Sequence, residues 1–196
     1  MTSDLPGDSS NGYEENAETF MRSRNPRIGP AQVRDWSASL RRGASIIDLG
    51  CGCGVPISQA LIEDGFAVHG VDASPKLIAA FRRRFPMAPA ECADVAKSGL
   101  FNRKFDAAVA WGLLFLLQPD VQLTIIRRVA RVLNSGGQFL FTAPRDPVRW
   151  VDVLTGRESI SLGSERYGQA LRAEGLTLRG EQLDEGDNHY YLAEKS

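Results

Sequence analysis

The sequence predicts an α/β fold, a doubly wound and mainly parallel sheet with helices on both faces, and three observations carry that expectation. Apolar strand-like runs alternate with segments of helical period through most of the chain, the pattern of successive β-α-β units. The run Ile46-Ile47-Asp48-Leu49-Gly50-Cys51-Gly52-Cys53-Gly54 joins a buried strand to a helix through alternating glycines. A second strand ends in Asp72, about 20 residues after the first glycine, where such a sheet places a carboxylate to meet ribose hydroxyls.

Taken in order, residues 1 to about 12 are polar and rich in Gly and Ser and read as disordered. Tyr13 to Arg24 reads as a short helix. Pro30 opens a second, with Val33, Trp36 and Leu40 on one face and Gly43 as its stop. A strand at 45–49 leads through the glycine loop to a helix from 56 to about 64, with Pro56 in its first turn. The strand at 67–71 is followed by a helix that Ser74-Pro75 starts and that turns Leu77, Ile78 and Phe81 inward. A short strand near 89–92 leads to Asp94. The run at 106–111 is apolar on both faces and belongs at the centre of the sheet. After Pro119 a helix carries Ile125, Ile126, Val129, Val132 and Leu133 and ends at Gly136-Gly137, and Gln138 to Thr142 is the next strand. Residues 144 to 163 show no strong period and read as a long insertion. A helix at about 164–174 precedes Leu176 to Leu183 and His189 to Ala193, two runs joined by a turn-rich 184–188 that read as a hairpin.

The glycines at 50, 52 and 54 permit positive φ and remove side chains that would hold the backbone away from a ligand, and the helix start behind them presents N–H groups to a polar group. A nicotinamide-type fingerprint continues G-x-G-x-x-G, but Val55 stands where its last glycine belongs and Asp48 precedes the loop. The segment instead resembles the class I S-adenosylmethionine-dependent methyltransferases of the small-molecule type. The resemblance rests on Asp48-Leu49-Gly50-Cys51-Gly52-Cys53-Gly54, Gly70-Val71-Asp72-Ala73-Ser74, Phe105 to Trp111 and Val132 to Phe139, and so covers most of residues 45 to 143. It implies a Rossmann-like sheet of seven strands with an antiparallel last strand, a flexible N-terminus and helical lid over 1–43 and an S-adenosylmethionine-binding methyltransferase domain over 44–196.

The resemblance also implies roles for residues. Gly50, Gly52 and the backbone of Cys51 would approach the methionyl part of S-adenosylmethionine. Asp72 would accept both ribose hydroxyls, and Ala73 would lie against the adenine or ribose. Asp94, with Ala93 before it, stands where the family holds the adenine amino group. Asp48 would bind the cofactor's ammonium, directly or through water, or else order the glycine loop. Arg22 or Arg24 of the lid would pair with the cofactor carboxylate in a bidentate fork. Trp111 ends the central strand where the acceptor sits, and its indole face either stabilises a sulfonium or packs in the core. Tyr13, Trp111 and His189 are the catalytic candidates. His189 and Tyr191 share one face of their strand and Tyr190 takes the other.

The run after Trp111, Gly112-Leu113-Leu114-Phe115-Leu116-Leu117, lacks the Asn/Asp-Pro-Pro-Tyr/Phe motif of adenine and glutamine methyltransferases and points to an apolar wall beside a small molecule. With 196 residues, 43% of them hydrophobic, and a net charge of −1, the chain has enough apolar material for one core and lacks the basic field of a nucleic-acid binder. Arg82-Arg83-Arg84 and Arg127-Arg128 read as solvated helix faces. No apolar run reaches the ~20 residues of a membrane span, and the expected compartment is the cytoplasm. Cys51, Cys53 and Cys92 have neither disulfide nor zinc-site spacing and read as small packing residues, with no metal expected. The readings that compete with a small-molecule methyltransferase are an RNA or protein methyltransferase, a non-catalytic S-adenosylmethionine-binding protein and, more distantly, a nicotinamide oxidoreductase.

Overall fold

Residues 8–196 are described by a computed structural model; residues 1–7, part of the segment expected to be disordered, lie outside the described residues. Among the described residues there are nine strands and six α-helices, and seven of the strands form one sheet. Its first five strands are β1 (Ser45–Leu49), β2 (Ala67–Asp72), β3 (Ala90–Cys92), β4 (Phe105–Ala110) and β5 (Leu133–Thr142). All five are parallel. The sheet closes with β8 (Leu176–Leu183) and β9 (His189–Lys195), and its order is β3-β2-β1-β4-β5-β9-β8. Strand β9 runs antiparallel to both of its neighbours. The chain winds outward from β1 to one side and then from β4 to the other, so the order reverses between β1 and β4. A doubly wound sheet opens a ligand crevice beyond the carboxyl ends of the strands at such a point.

Alternation along the central strands sorts their side chains onto two layers. Ile47, Ala108, Phe139 and Phe141 meet helices α5 (Pro119–Val132) and α6 (Ser164–Ala173) through Ile125, Ile126, Val129 and Tyr167. Ile46, Ala107, Val109 and Leu140 face α2 (Pro30–Ser37) and α3 (Ile57–Glu63) through Val33, Trp36, Ile57 and Leu61. Helix α4 (Pro75–Arg84) buries Leu77, Ile78 and Phe81, as its period predicts. It comes close to β2 only because Gly70 has no side chain: a Cβ there would lie 2.7 Å from Cys51 Sγ and 3.1 Å from the Phe81 ring.

Four sequence expectations change. Residues 8–12 are not a loose tail among the described residues: Asp8 accepts from the Ser10 and Gly12 N–H groups at 2.9 Å each and pairs with Arg157 at 2.7 Å. The helix expected over 13–24 is only Ala17–Ser23 (α1), and the residues before it are turns. Helix α5 stops at Val132, so Leu133 opens β5 instead of closing the helix; its partner across the sheet is Phe105. The expected structureless insertion holds an antiparallel hairpin, β6 (Val148–Val151) with β7 (Glu158–Ser161). Its period was hidden because β6 is mostly exposed on both faces.

Candidate active site

The carboxyl ends of β1 to β4 converge on one cavity. Three glycine-loop residues have left-handed backbone, with φ of 71° at Gly50, 53° at Gly52 and 82° at Gly54. The loop is stitched to the end of β2. Gly50 and Cys51 both donate to Val71 O, at 2.8 and 3.1 Å, and Gly52 donates to Asp72 Oδ2 at 2.9 Å. Asp72 Oδ1 also accepts from Ser74 N at 2.8 Å. Burial pushes the Asp72 carboxyl up against the opposing pull of those two N–H groups. A carboxylate offers about four lone-pair sites, so this one retains acceptor capacity toward the cavity it lines. Asp94 is held by Ala96 N at 2.9 Å and reached by Ser9 Oγ at 3.3 Å.

The N-terminal segment forms the roof. Glu14 accepts from Ser74 Oγ at 2.5 Å and from Lys76 N at 3.1 Å, tying the segment to the start of α4. Burial works against that charge, yet these hydrogen bonds hold the Glu14 carboxyl below its usual value. Arg24 closes the roof over Trp111, its guanidinium 4.3 Å from the indole centroid and 4.6 Å from that of Phe20. Its Nε is enclosed and has no hydrogen-bond partner among the described residues. Burial lowers the Arg24 pKa, although an arginine keeps its charge. The indole is held from below: Trp111 Nε1 donates to Tyr190 Oη at 2.5 Å, and Tyr190 donates to Asp184 Oδ2 at 2.8 Å.

Of the residues singled out in the sequence, Tyr13, Arg24, Gly50, Gly52, Asp72, Ala73, Asp94 and Trp111 line this cavity together. Five do not. Asp48 lies beneath the loop, bonded to Ser58 Oγ at 2.5 Å; burial pushes its carboxyl up to about 7 against that bond and the nearby Arg24. Cys51 turns its thiol away, toward Ile78 and Phe81. Ala93 spends its N–H on Asp72 O at 2.9 Å, and Val95 takes its place in the wall. Arg22 is exposed, because the short α1 turns only Ala17 fully inward and leaves it on the solvent side. His189 lies in a different depression. Trp111 already carries a cation on its ring, the guanidinium of Arg24. Burial, with Asp152 adding to it, pushes the Tyr13 phenol up to about 12, so it keeps its proton at neutral pH.

The cavity is tight, about 80 Å³ against the roughly 300–1,000 Å³ of typical ligand sites. Phe20 comes within 3.3 Å of where a Cβ on Gly52 would stand, and Leu113 within 3.0 Å of the same point on Gly50. A nucleotide-sized ligand must displace both side chains. Gly112, Leu113, Leu116 and Leu117 supply the apolar wall expected after Trp111, while Leu114 enters the core. Phe115 points instead into an open groove of about 930 Å³. There it meets Trp150 of β6 at 5.3 Å between ring centroids. The same groove holds His189, whose Nε2 lies 2.8 Å from Glu181 Oε2. Cavity and groove share a border, where Gly112 N donates to Thr142 Oγ1 at 2.8 Å. Phe20, Val95, Tyr190, Asp184, Trp150 and Glu181 were missed in the sequence. The alternation at 189–191 placed Tyr190 opposite His189, but nothing local named Trp111 as its partner.

A family model described as methyltransferase domain matches residues 46–137, the stretch from β1 to the start of β5 that builds the cavity floor. Residues 46–137 are thus similar to a methyltransferase domain. Solved structures share this domain's fold at low identity. The magnesium protoporphyrin IX methyltransferase of Synechocystis PCC 6803, solved with bound S-adenosylmethionine, is 14% identical with a TM-score of 0.76, over 100% of both chains. The 1,6-didemethyltoxoflavin-N1-methyltransferase of Burkholderia thailandensis is 19% identical with a TM-score of 0.74, over 100% of this chain and 93% of that one. An amino pentose methyltransferase of Micromonospora echinaspora is 17% identical with a TM-score of 0.70, over 100% of both. No curated protein matches this chain by sequence.

Proposed function

We propose that the protein transfers a methyl group from S-adenosylmethionine to a small-molecule acceptor by in-line displacement. The observation that carries this reading is the convergence of Asp72, Asp94, the glycine loop and the enclosed Arg24 on one cavity at the switch point of a methyltransferase domain. The residues fit the cofactor's groups. Asp72 has lone pairs left for two ribose hydroxyls, Asp94 faces the place of the adenine amino group, and Ala73 leaves room for a ring. Arg24, with an unpaired Nε and aromatic rings around its guanidinium, is pre-set for a carboxylate fork. Asp48 supports the loop from beneath. The cofactor supplies an already activated methyl group, so the chain's task is alignment and water exclusion, which account for roughly 7–11 kcal/mol in favourable systems. Leu113, Leu116 and Leu117 exclude water on the acceptor side.

Residues 13–24 act as a gate, since the cavity admits a cofactor only when Phe20 moves. The net charge of −1 favours a small acceptor over RNA. Among the described residues no helix is long and apolar enough to cross a membrane, and we place the enzyme in the cytoplasm. The test is titration with S-adenosylhomocysteine, by calorimetry and thermal denaturation. We expect micromolar affinity or better and a rise in Tm by mass action. A folded protein with no shift at saturating ligand sinks the reading.

A further inference from the structure

We propose that the open groove takes a flat aromatic acceptor bearing an acidic hydroxyl, with His189 as the general base and Glu181 orienting it. The inference rests on the methyltransferase reading and names the acceptor class that reading leaves open.

The dyad fixes its own protonation pattern. An ionised Glu181 accepts only, so His189 Nε2, 2.8 Å from it, carries the ring proton. In the neutral imidazole the lone pair then sits on Nδ1, which makes no hydrogen bond among the described residues. A base whose far nitrogen is held by a carboxylate while its near nitrogen stays free is the arrangement general-base catalysis requires. The ring is also held in place. It lies edge to face on Tyr191 at 4.8 Å between centroids. The turn before it is locked by Asp184 Oδ1, which accepts from Gly186 N and Asn188 N at 2.9 Å each, and His189 O accepts from Ala143 N at 3.1 Å.

Phe115 and Trp150, their rings tilted by 45° to one another, line the same groove as the dyad, and it is large enough for a fused ring system. Aromatic side chains on a ligand wall select flat π-systems by offset or edge-to-face contact, typically about 0.5–1.5 kcal/mol per pair beyond burial. Phe115 comes from the segment that also walls the cavity, so an acceptor lying on it would sit beside the border that Gly112 and Thr142 form between groove and cavity. In the step itself the acceptor's O–H proton passes to His189 Nδ1 as the oxygen lone pair forms the new O–C bond. The sulfur–methyl bond breaks with its electron pair left on sulfur. The products are an aryl methyl ether, S-adenosylhomocysteine and a proton that the imidazolium releases to solvent.

The experiment uses the full chain with S-adenosylmethionine and three probes at neutral pH: 2-naphthol, which is protonated there, 3-cyano-7-hydroxycoumarin, which is mostly ionised, and ethanolamine. We expect S-adenosylhomocysteine release with both arenols and none with ethanolamine. His189→Gln lowers kcat roughly 100-fold for 2-naphthol and changes it little for the coumarin, with the cofactor KM unchanged. Trp150→Ala raises the KM of both arenols. An equal loss for both arenols would show His189 to be structural and overturn the base assignment. Turnover of ethanolamine alone, or failure of both arenols to bind the S-adenosylhomocysteine complex, would overturn the acceptor class. In either of these cases a Tm rise with S-adenosylhomocysteine shows that the cofactor reading survives, whereas absence of that rise removes both.

Discussion

The cofactor cavity and the neighbouring groove differ in what they are made of. The floor of the cavity is built from backbone and short side chains at four strand ends, with the loop N–H groups bonded to Val71 O and Asp72, beneath a roof of larger side chains such as Phe20 and Arg24. The groove is built from large side chains, Phe115, Trp150, Glu181 and His189, carried by segments far apart in the chain. The first is about 80 Å³ and roofed, the second about 930 Å³ and open. The contrast teaches that the glycine-loop side is specified by main-chain geometry, which tolerates little change, whereas the groove is specified by side chains on separate supports.

The largest effect should come from adding a single methyl group on each side of that divide. At Gly54, in the glycine loop where it packs on α4, a Cβ would lie 2.5 Å from Phe85 and 2.8 Å from Phe81, with φ at 82°, so Gly54→Ala should cost roughly 3–5 kcal/mol of stability. Gly180, in the groove, has nothing within 4 Å of that position, and Gly180→Ala should stay within about 0.5 kcal/mol. Urea denaturation of the two variants decides it, and similar costs would erase the distinction.

Next comes Asp48 under the loop. Its folded-state pKa of about 7 lies above the ordinary 3.8 of an unfolded Asp. The native state therefore binds the proton more tightly, and this group's contribution is fully present below about pH 4 and lost as pH rises through 7. At about 1.4 kcal/mol per tenfold change in proton affinity, the loss approaches roughly 4 kcal/mol. Asp48→Asn should flatten stability between about pH 4 and pH 8. Parallel profiles for variant and wild type would mean that Asp48 is ionised throughout.

On binding, Asp72→Ala should weaken S-adenosylhomocysteine roughly 100-fold and Asp94→Ala roughly 10-fold. The first removes an ionised acceptor and also the partner of Gly52 N, while the second removes one contact to an amino group. Calorimetry should find Trp150→Ala unchanged in the same assay, and a loss there would show that the two sites are one. The smallest effect concerns the roof. Hydrogen exchange in residues 13–24 should slow roughly 10-fold with S-adenosylhomocysteine bound. Deleting residues 1–24 should lower turnover with the sheet still folded, since Val33 and Trp36 of α2 remain in the core. Unaltered exchange together with normal turnover would make the segment passive and pass the gating role to the 144–163 insertion.

Much of the cofactor side was legible because it is local. The spacing from Gly50 to Asp72 is one β-α-β unit, so a pattern in the sequence is also a position in space. The same holds for the buried faces of α4 and α5, for the centrality of β4 and for the closing hairpin. Legibility failed where a residue's partner lies far along the chain. Arg22 and Arg24 look alike in sequence, yet only Arg24 meets Trp111, 87 positions on. Tyr190 and Trp111 meet because β9 inserts between β5 and β8.

By itself the sequence determined the doubly wound fold, the glycine loop, the acids at the strand ends and the apolar wall after Trp111. Each follows from rules that act within a few residues: hydrophobic period, positive φ at glycine, capping at Ser74-Pro75. Only the tertiary structure decided that Asp48 lies below the loop, that Arg24 rests on Trp111, that Phe20 and Leu113 fill the cavity and that His189 joins Glu181 in the groove that Trp150 also lines. Those outcomes depend on strand order, register and the placement of the 144–163 segment, and packing settles all three together through contacts between segments that no local pattern encodes.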